Sequence, residues 1–363
     1  MNKNMALLFA VLHIFSGCAC FSGGVNDADA ENSRSAAENA ARTAASAQLK
    51  IVNWNVQTFF DAQTDGTEYS DFKKSSAGWG RDAYIKRLDR LCEVINSLDA
   101  DIFVMEEIEN AGILYDISNR LAGNSWRKDK IYDYGCFAKD SGSAIGCAVL
   151  SKHLIANLKV HSLDIRTESC AQPSMRPLME VTIFAGGKPF VLYVNHWKSM
   201  SGGEAETEIW RCWQESVLGA KTALRTTSKN TAVIACGDFN RDIAKFSTCS
   251  KNEASLSDSA DVPNIFFRYI TSNISGGGTA ARIGLYSPWI LSDGASTEQG
   301  SYYYNDEWNH IDHFFSAGKA SIRSFSVETN GPWAGGDGIP DGYKIYTGGG
   351  YSDHLPVSCI VNF

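Results

Sequence analysis

Short, almost wholly apolar segments recur along the chain, and acidic, amide or histidine residues follow many of them directly. A continuous apolar run of this kind is typical of a β-strand that is covered on both faces. Such segments outnumber the helical ones, and many connections between them are short. The pattern therefore predicts an α/β fold in which two packed β-sheets are flanked by helices. Strands are expected at 49–56, 101–105, 144–151, 177–184, 189–195, 232–236, 311–315 and 356–363, and helices at 85–98 and 208–224.

The start of the chain differs in composition from the rest. Lys3 is followed by an apolar run at 5–15, which is too short to span a bilayer, and then by small residues before Cys18. This pattern is typical of an export signal, and its end resembles a bacterial lipobox, in which the cysteine is acylated. Ordinary cleavage beside an unmodified cysteine is the alternative. We expect a signal peptide at 1–17, a flexible Ala/Ser-rich tether at 18–48 and one folded domain at 49–363.

Composition and charge exclude several classes of protein. The chain has 363 residues, 44% of them hydrophobic, and a formal net charge of −8. Negative charge disfavours tight binding of a polyanion by electrostatics alone, so such a substrate would need a bridging cation. There is no Walker A, GxSxG or HExxH motif and no CxxC pair. Export would permit disulfides, and Cys136 with Cys147 could join neighbouring strands.

Chemically capable side chains concentrate where the predicted strands end. Strand ends are a common location for sites, because a rigid sheet positions the loops that follow its strands. Each segment alone is a weak signal, since an Asp or His after a strand is most often a turn former or a satisfied polar group. Their joint occurrence predicts one site. The segments are 53–55, 106–107, 195–199, 237–240, 310–313 and 352–354.

Two of these segments carry a family resemblance. Gly-Asp-Phe-Asn at 237–240 and Ser-Asp-His-Leu-Pro-Val at 352–357 resemble motifs of the endonuclease/exonuclease/phosphatase superfamily, the metal-dependent phosphodiesterases that include deoxyribonuclease I. Asp-Ile-Phe-Val-Met-Glu-Glu-Ile-Glu-Asn at 101–110 supports the resemblance, and Asn-His-Trp-Lys-Ser at 195–199 is similar to secreted bacterial nucleases of this group. The resemblance covers 49–363. It implies a catalytic domain built as a four-layer αββα sandwich of two mixed β-sheets, with the site at one end.

The expected metal is Mg²⁺, with Mn²⁺ and Ca²⁺ as alternatives. Mg²⁺ prefers oxygen ligands and usually takes one or two carboxylates together with substrate phosphate. Glu107 is the expected ligand, because Glu106 should point to the opposite face of the extended segment and because the family commonly has Gln before the ligand. The resemblance also implies that Asn55 assists at the metal or the phosphate and that Asp353 contributes to the metal cluster.

The catalytic groups follow from what phosphodiester hydrolysis needs: an activated water and neutralisation of charge on the phosphoryl and leaving oxygens. His354 is the expected base, since an imidazole suits that task near neutral pH. The resemblance implies that Asp312 pairs with His354 and that His196 binds the phosphate or protonates the leaving oxygen. It also implies that Asp238 and Asn240 position the water and a phosphoryl oxygen.

Arg176 and Lys198 are the expected substrate-binding residues. Arg176 precedes a predicted strand, as a phosphate-contacting arginine does in deoxyribonuclease I, and its guanidinium fork suits a phosphate. A surface charge without a role is the alternative for Arg176. Lys198 and Lys152 would add local positive potential. The expected stacking surfaces for bases are Trp79, Trp197 and Trp308.

Three functions remain open at this point. The favoured one is an exported nuclease that hydrolyses DNA, with RNA as a further substrate. The alternative is a sphingomyelinase or another phospholipid or phosphoester hydrolase, whose aromatic hairpin at 302–304 with Trp308 would sit in a lipid surface. A catalytically silent, lipid-anchored adhesin is the second alternative, and the intact set of site residues argues against it.

Two further expectations concern DNA and location. Glu109 stands where deoxyribonuclease I has a basic residue that enters the minor groove, and a carboxylate there would repel the DNA backbone. We expect a monomer without a transmembrane helix, held at the periplasmic or outer face of a membrane by lipid on Cys18, or secreted.

Overall fold

The computed structural model describes residues 48–124, 132–168, 171–228, 230–249, 260–272, 278–291 and 299–363. The expected signal peptide, Cys18 and nearly all of the expected tether lie outside the described residues. Within them the chain folds as two packed mixed β-sheets with few helices, as the resemblance implies. No helix in the described ranges is long and apolar enough to cross a membrane.

The first sheet has six strands. β1 and β2 are parallel, and all other neighbouring pairs are antiparallel. Their order across the sheet is β15 (Ser321–Val327), β16 (Val357–Asn362), β1 (Gln48–Phe59), β2 (Ile102–Ile108), β4 (Gly146–Ser151) and β3 (Tyr134–Ala138).

The second sheet has five strands and again contains one parallel pair, β7 with β8. Their order is β14 (Asp312–Gly318), β8 (Ala232–Asp238), β7 (Lys188–His196), β6 (Leu178–Ala185) and β5 (Leu154–His161). Two small sheets are added by β9 (Ser247–Thr248), β10 (Ile265–Ser272) and β11 (Gly278–Leu285), and by the hairpin β12 (Tyr302–Tyr304) and β13 (Glu307–Asn309).

Helices cover the outer faces of the two main sheets. α2 (Arg81–Leu98) and α3 (Gly112–Asn124) pack together beside the first sheet, and α4 (Glu204–Thr226) packs on β8, β10 and β14. A short helix, α1 (Ser70–Lys73), precedes them. Because both faces are covered, β4 and β8 are buried at every position, which is why their sequences read as continuous apolar runs.

The parallel pairs determine where a site can form. β1 and β2 end at the same edge of the first sheet, and antiparallel β16 begins at that edge, with Val357 opposite Asn53. The second sheet repeats this arrangement, since β14 begins where β8 ends and Asp312 lies opposite Asp238. The polar segments predicted from the sequence are thereby brought to one end of the sandwich.

The disulfide that the sequence allowed between Cys136 and Cys147 is not formed. Cys136 and Cys147 are both buried free thiols. The register of β3 and β4 places Cys136 opposite Val149 and Cys147 opposite Ala138, so the two cysteines are displaced by two positions.

Glu180 of β6 connects the neighbouring strands β5 and β7 to helix α4. Its Oε2 lies 2.8 Å from Nε2 of His161 in β5 and accepts a hydrogen bond of 3.3 Å from the hydroxyl of Tyr193 in β7. Arg225 of α4 donates to Oε1. Burial favours the neutral acid, but His161 and Arg225 outweigh it and lower the pKa of Glu180 to about 2.

We expect Glu180→Gln to lower the free energy of unfolding at pH 7 by about 2 kcal/mol, the scale of hydrogen bonds to a charged group. A carboxyl whose pKa falls on folding stabilises the fold above its ordinary pKa and loses that contribution as the pH falls through the folded value. The difference between wild type and variant should therefore shrink as the pH falls from 4.5 towards 2. Urea denaturation across this range measures it, with exposed Glu307→Gln as the control. A difference independent of pH would contradict the expectation.

Candidate active site

The end of β1 leaves regular strand geometry just after Asn55. Its pairing with β2 is irregular between Asn55 and Phe59. Gln57 and Thr58 have φ angles of 53° and 50°, in the left-handed region that residues other than glycine rarely adopt. We call residues 56–58 the β1 bulge. The bulge takes the backbone out of the ladder and frees its polar groups for other partners.

Glu107 of β2 is held by this bulge. The Thr58 amide donates to Oε2 of Glu107 at 2.6 Å, and Nδ2 of Asn55 donates to Oε1 at 3.3 Å. Glu107 has a φ of 68°, at an irregularity in the pairing of β2 with β4. Glu106 is fully buried whereas Glu107 is partly exposed, so the two carboxylates face different surroundings.

His196 and Asp238 reach the same place from the second sheet. Nε2 of His196 lies 3.7 Å from Oε1 of Glu107 and 3.6 Å from Oδ2 of Asp238. Nδ2 of Asn55 also donates to Oδ2 of Asp238 at 3.1 Å, which connects the two sheets. The carboxyl ends of four strands thus meet in one polar cluster.

Gly237 permits this close approach. Its φ is 141°, and a Cβ at this position would lie 1.9 Å from the carbonyl oxygen of Asn195 in β7. A larger residue would push the ends of β7 and β8 apart and would separate His196 from Asp238.

Asn240 fixes the carboxylate of Asp238. The Asn240 amide donates to Oδ1 at 2.8 Å, and its side-chain Nδ2 donates to Oδ2 at 2.9 Å. Nδ2 also donates to the carbonyl of Trp197 at 3.3 Å. In this arrangement Asn240 orients both Asp238 and the segment that follows His196.

His354 and Asp312 form the other half of the site. Nδ1 of His354 lies 2.8 Å from Oδ2 of Asp312, and both side chains are buried. Ser301 donates to the same carboxylate oxygen at 2.6 Å. The ring of Tyr302 packs over His354 with centroids 4.7 Å apart. Asp312 thus fixes the orientation of the imidazole, and Nδ1 is the nitrogen that faces the carboxylate.

The pKa values of the two histidines are shifted in opposite directions. Burial alone would lower the pKa of His354, but the carboxylate of Asp312, with help from Asp238, raises it well above the ordinary value. Burial lowers the pKa of His196 well below the ordinary value, and the charge of Arg176 acts in the same direction. Burial also raises the pKa of Asp238 to about 7. These shifts favour the protonated form of His354 and the neutral form of His196.

Glu106 and Asn53 form a buried polar layer beneath the cluster. Both lie in the polar segments predicted from the sequence, where neither was given a role. Nδ2 of Asn53 donates to Oε2 of Glu106 at 3.4 Å. Among the described residues, no hydrogen bond reaches Oε1 of Glu106 or Oδ1 of Asn53. Burial, followed by the charges of Asp312 and Asp238, raises the pKa of Glu106 well above the ordinary value. The available signal was a second glutamate inside an otherwise apolar strand.

The oxygen donors of this site fit a hard divalent cation. Glu107 offers a partly exposed carboxylate, and the Asn55 side chain lies beside it, with Nδ2 towards Glu107 and Oδ1 towards the Gln57 amide. Asp353 joins the same region, because its amide donates to Oε1 of Gln57 in the β1 bulge at 3.1 Å. A small number of carboxylates and neutral oxygens is the set that Mg²⁺ takes when phosphate completes its shell. Glu107, Asn55 and Asp353 are the residues that could hold such an ion.

A second acidic group lies nearby and was not expected. Potential ligand atoms of Asp65, Glu68 and Glu109 lie within 4.8 Å of one another. Oε2 of Glu109 accepts a 2.6 Å hydrogen bond from the Asp61 amide, and the residue is only 1% exposed. The expectation that Glu109 would meet and repel DNA is therefore wrong, because its side chain is turned into the 61–68 loop.

Arg176 lies at the rim of the site. Its charge acts on His196, and it shares a hydrogen bond with the hydroxyl of Tyr69. Tyr69 is 43% exposed, and the charge of Glu107 also acts on it. Nothing in the polar stretch around Tyr69 marked this residue in the sequence.

The two lysines have different positions. Lys198 lies two residues after His196, and its Nζ donates to the carbonyls of Ser199 at 3.0 Å and Ser201 at 3.3 Å. Lys152 pairs with Asp99 at 2.8 Å beside the start of β2, at the opposite end of the sheet. The expectation that Lys152 would add positive potential to the site is therefore wrong.

The expected aromatic surfaces are only partly available. Trp197 is 1% exposed and packs on Phe239, so it cannot stack on a base. Trp79 packs between Phe72 and Tyr343, and Trp308 packs on Tyr303 in the β12–β13 hairpin. Tyr302 does reach the site, where its ring packs on His354.

Comparison with known proteins agrees with this architecture. A sequence model of the Endonuclease/Exonuclease/phosphatase family matches residues 50–362. A search of curated proteins gave no match. Truncated Caenorhabditis elegans TDP2 is similar with a TM-score of 0.53 and 13% identity, over 87% of this chain and 98% of that chain.

Two further solved structures show the same fold. The human Nocturnin catalytic domain with bound sulfate anion has a TM-score of 0.50 and 15% identity, over 87% of this chain and 94% of that chain. D. rerio TDP2 complexed with a single-strand DNA product has a TM-score of 0.50 and 15% identity, over 87% of this chain and 100% of that chain. Because the family model matches residues 50–362, nearly the whole described fold, the chain belongs to the endonuclease/exonuclease/phosphatase family.

Proposed function

We propose that the protein is a divalent-metal-dependent phosphodiesterase that hydrolyses nucleic acid, with DNA as its main substrate. The observation that supports this most is the pairing of His354 with Asp312 on one side and of His196 with Glu107 and Asp238 on the other. Such a site offers a proton acceptor, phosphate-binding groups and cation ligands in one place.

Glu107, Asn55 and Asp353 would hold the cation in this proposal. When bound, the cation would neutralise charge on the phosphoryl oxygens and favour the neutral form of His354. The carboxylate of Asp312 would accept a hydrogen bond from the Nδ1–H group of neutral His354, which leaves Nε2 as the acceptor for a proton from water. Asp312 would thus orient the base without itself touching the substrate.

The lowered pKa of His196 favours one of its two expected roles. A histidine whose pKa lies well below the ordinary value has little capacity to deliver a proton at neutral pH. Its imidazole would therefore act as a hydrogen-bond donor to the phosphate. Asp238 and Asn240 would position the attacking water and a phosphoryl oxygen, with Arg176 and Lys198 as further phosphate contacts.

The β12–β13 hairpin favours nucleic acid over lipid. Tyr302 is turned inward onto His354, and Tyr304, which is 59% exposed, stacks on Tyr302. The turn between the strands consists of Asn305 and Asp306, both in left-handed conformation. A polar, acidic tip is unsuited to insertion into a lipid surface, whereas stacked tyrosines suit a nucleobase.

The similar D. rerio protein was solved with a single-strand DNA product, which supports DNA as the first substrate to test.

We also infer that the chain is exported and held at a membrane through lipid on Cys18, on the basis of the apolar run and the small residues that precede this cysteine. The acidic net charge fits a protein that binds polyanions through a cation.

Cleavage of plasmid and single-stranded DNA should require Mg²⁺ or Mn²⁺ and should stop on addition of EDTA. His354→Ala should lower the rate by about 10²–10⁴-fold, the typical contribution of a general base, and should leave the circular dichroism spectrum unchanged. His153→Ala, a histidine at the opposite end of the sandwich, is the matched control and should keep full activity.

A substrate panel of DNA, RNA and sphingomyelin vesicles in one buffer separates the remaining functions. Release of phosphocholine without nicking of nucleic acid would replace the proposal by the lipid hydrolase. Absence of turnover on every substrate and metal would favour the silent adhesin.

Asp312→Asn should lower the pKa of His354, because it removes the carboxylate charge that outweighs burial. Titration of the histidine ring signals by NMR measures this in the metal-free protein. Asp242→Asn is the matched control, since Asp242 lies beside His310 at 3.5 Å, and it should leave the pKa of His354 unchanged. An unaltered pKa in Asp312→Asn would contradict the proposed orientation of the base.

A further inference from the structure

Arg87 of α2 is a buried cation whose hydrogen bonds all go to backbone carbonyls in one short segment. The residue is 2% exposed, although arginine is almost never fully buried without compensation of its charge. Nη1 donates to the carbonyl of Thr58 at 2.9 Å, and Nη2 donates to that of Val56 at 3.0 Å and to that of Gln57. These three acceptors make up the β1 bulge.

Aromatic rings enclose the same guanidinium. Its central carbon lies 3.7 Å from the ring centroid of Tyr343 and 4.8 Å from that of Phe59. Burial lowers the pKa of Arg87 to about 9, so the charge persists at neutral pH. The side chain is therefore a fixed, desolvated cation with a planar array of donors.

Three successive carbonyls can converge on one cation only if the backbone departs from a regular strand, in which successive carbonyls point to opposite sides. Gln57 and Thr58 make this departure through their left-handed φ angles. That conformation is unfavourable for residues with a Cβ, and a β-branched threonine is among the least suited to it. The contacts of Arg87 offset this cost, because they exist only in the bulged conformation.

The bulge in turn touches each residue that could hold the cation. Thr58 donates its amide to Glu107 at 2.6 Å, and the Gln57 amide donates to Oδ1 of Asn55 at 3.0 Å. Oε1 of Gln57 accepts from the Asp353 amide at 3.1 Å. Displacement of the bulge would therefore reorient Asn55, Glu107 and Asp353 together.

We propose that Arg87 is a positioning residue of the metal centre, acting through the β1 bulge and not by contact with metal or substrate. The inference rests on the proposed function, because it concerns the same cation. If Arg87 only stabilised the fold, its substitution would lower the unfolding temperature without changing metal affinity. Metal affinity is therefore the quantity that separates the two roles.

The test is calorimetric titration of Mn²⁺ into the full-length wild type, Arg87→Lys and Arg90→Lys. Lysine keeps the charge but lacks the planar fork that reaches three carbonyls. Arg87→Lys should bind Mn²⁺ about tenfold more weakly or worse, as is typical when a group that orients metal ligands is removed. Arg90 is the matched control, since it lies on the same helix, is close to Tyr343 at 6.0 Å and donates to the Gly348 carbonyl at 2.5 Å. Arg90→Lys should bind as the wild type does.

Wild-type affinity in a folded Arg87→Lys protein would overturn the inference and leave the proposed function standing. Failure of the wild type to bind Mn²⁺ would overturn both. If Arg87→Lys does not fold, hydrogen exchange of the metal-free wild type decides. The Gln57 and Thr58 amides should be protected before metal is added, and exchange at the rate of an unstructured peptide would overturn the inference.

Discussion

Parallel pairing of β1 with β2 and of β7 with β8 is the constraint on which the rest of this structure depends. In a parallel pair both carboxyl ends lie at one edge, so Asn55 and Glu107 leave the first sheet together, as His196 and Asp238 leave the second. Packing the sheets face to face then places these ends against each other, and Asn55 donates a hydrogen bond to Asp238 across the interface. Chain segments far apart in sequence become one polar cluster because of strand direction.

The same packing sets the electrostatics of the cluster. Burial opposes charge on every group, so each side chain has the protonation state that its own partners permit. Asp312 raises the pKa of His354, while burial lowers that of His196, whose Nδ1 lacks a hydrogen-bond partner among the described residues. The buried pair of Asn53 and Glu106 lies beneath these groups. Thr58, beside them, has a left-handed backbone conformation, and such unfavourable conformations are common at functional sites.

Much of the sandwich could be predicted because its strands are covered on both faces. The run at 232–236 corresponds to β8 (Ala232–Asp238), and 49–56 corresponds to the regular part of β1. β5 (Leu154–His161) was missed because it is an edge strand in which most side chains are not buried, and its sequence lacks a continuous apolar run.

The site could be predicted as a set of residues but not as a geometry. Motif segments name Asp312 and His354, and strand order brings them together. Burial of Trp197, the inward turn of Glu109 and the β1 bulge depend on tertiary packing and backbone angles that no short sequence pattern specifies.

The most direct test of the account is the position of Mn²⁺ in soaked crystals, located by anomalous scattering. The account predicts a peak bonded to the Glu107 carboxylate between the two sheets, and a peak confined to Asp65, Glu68 and Glu109 would contradict it.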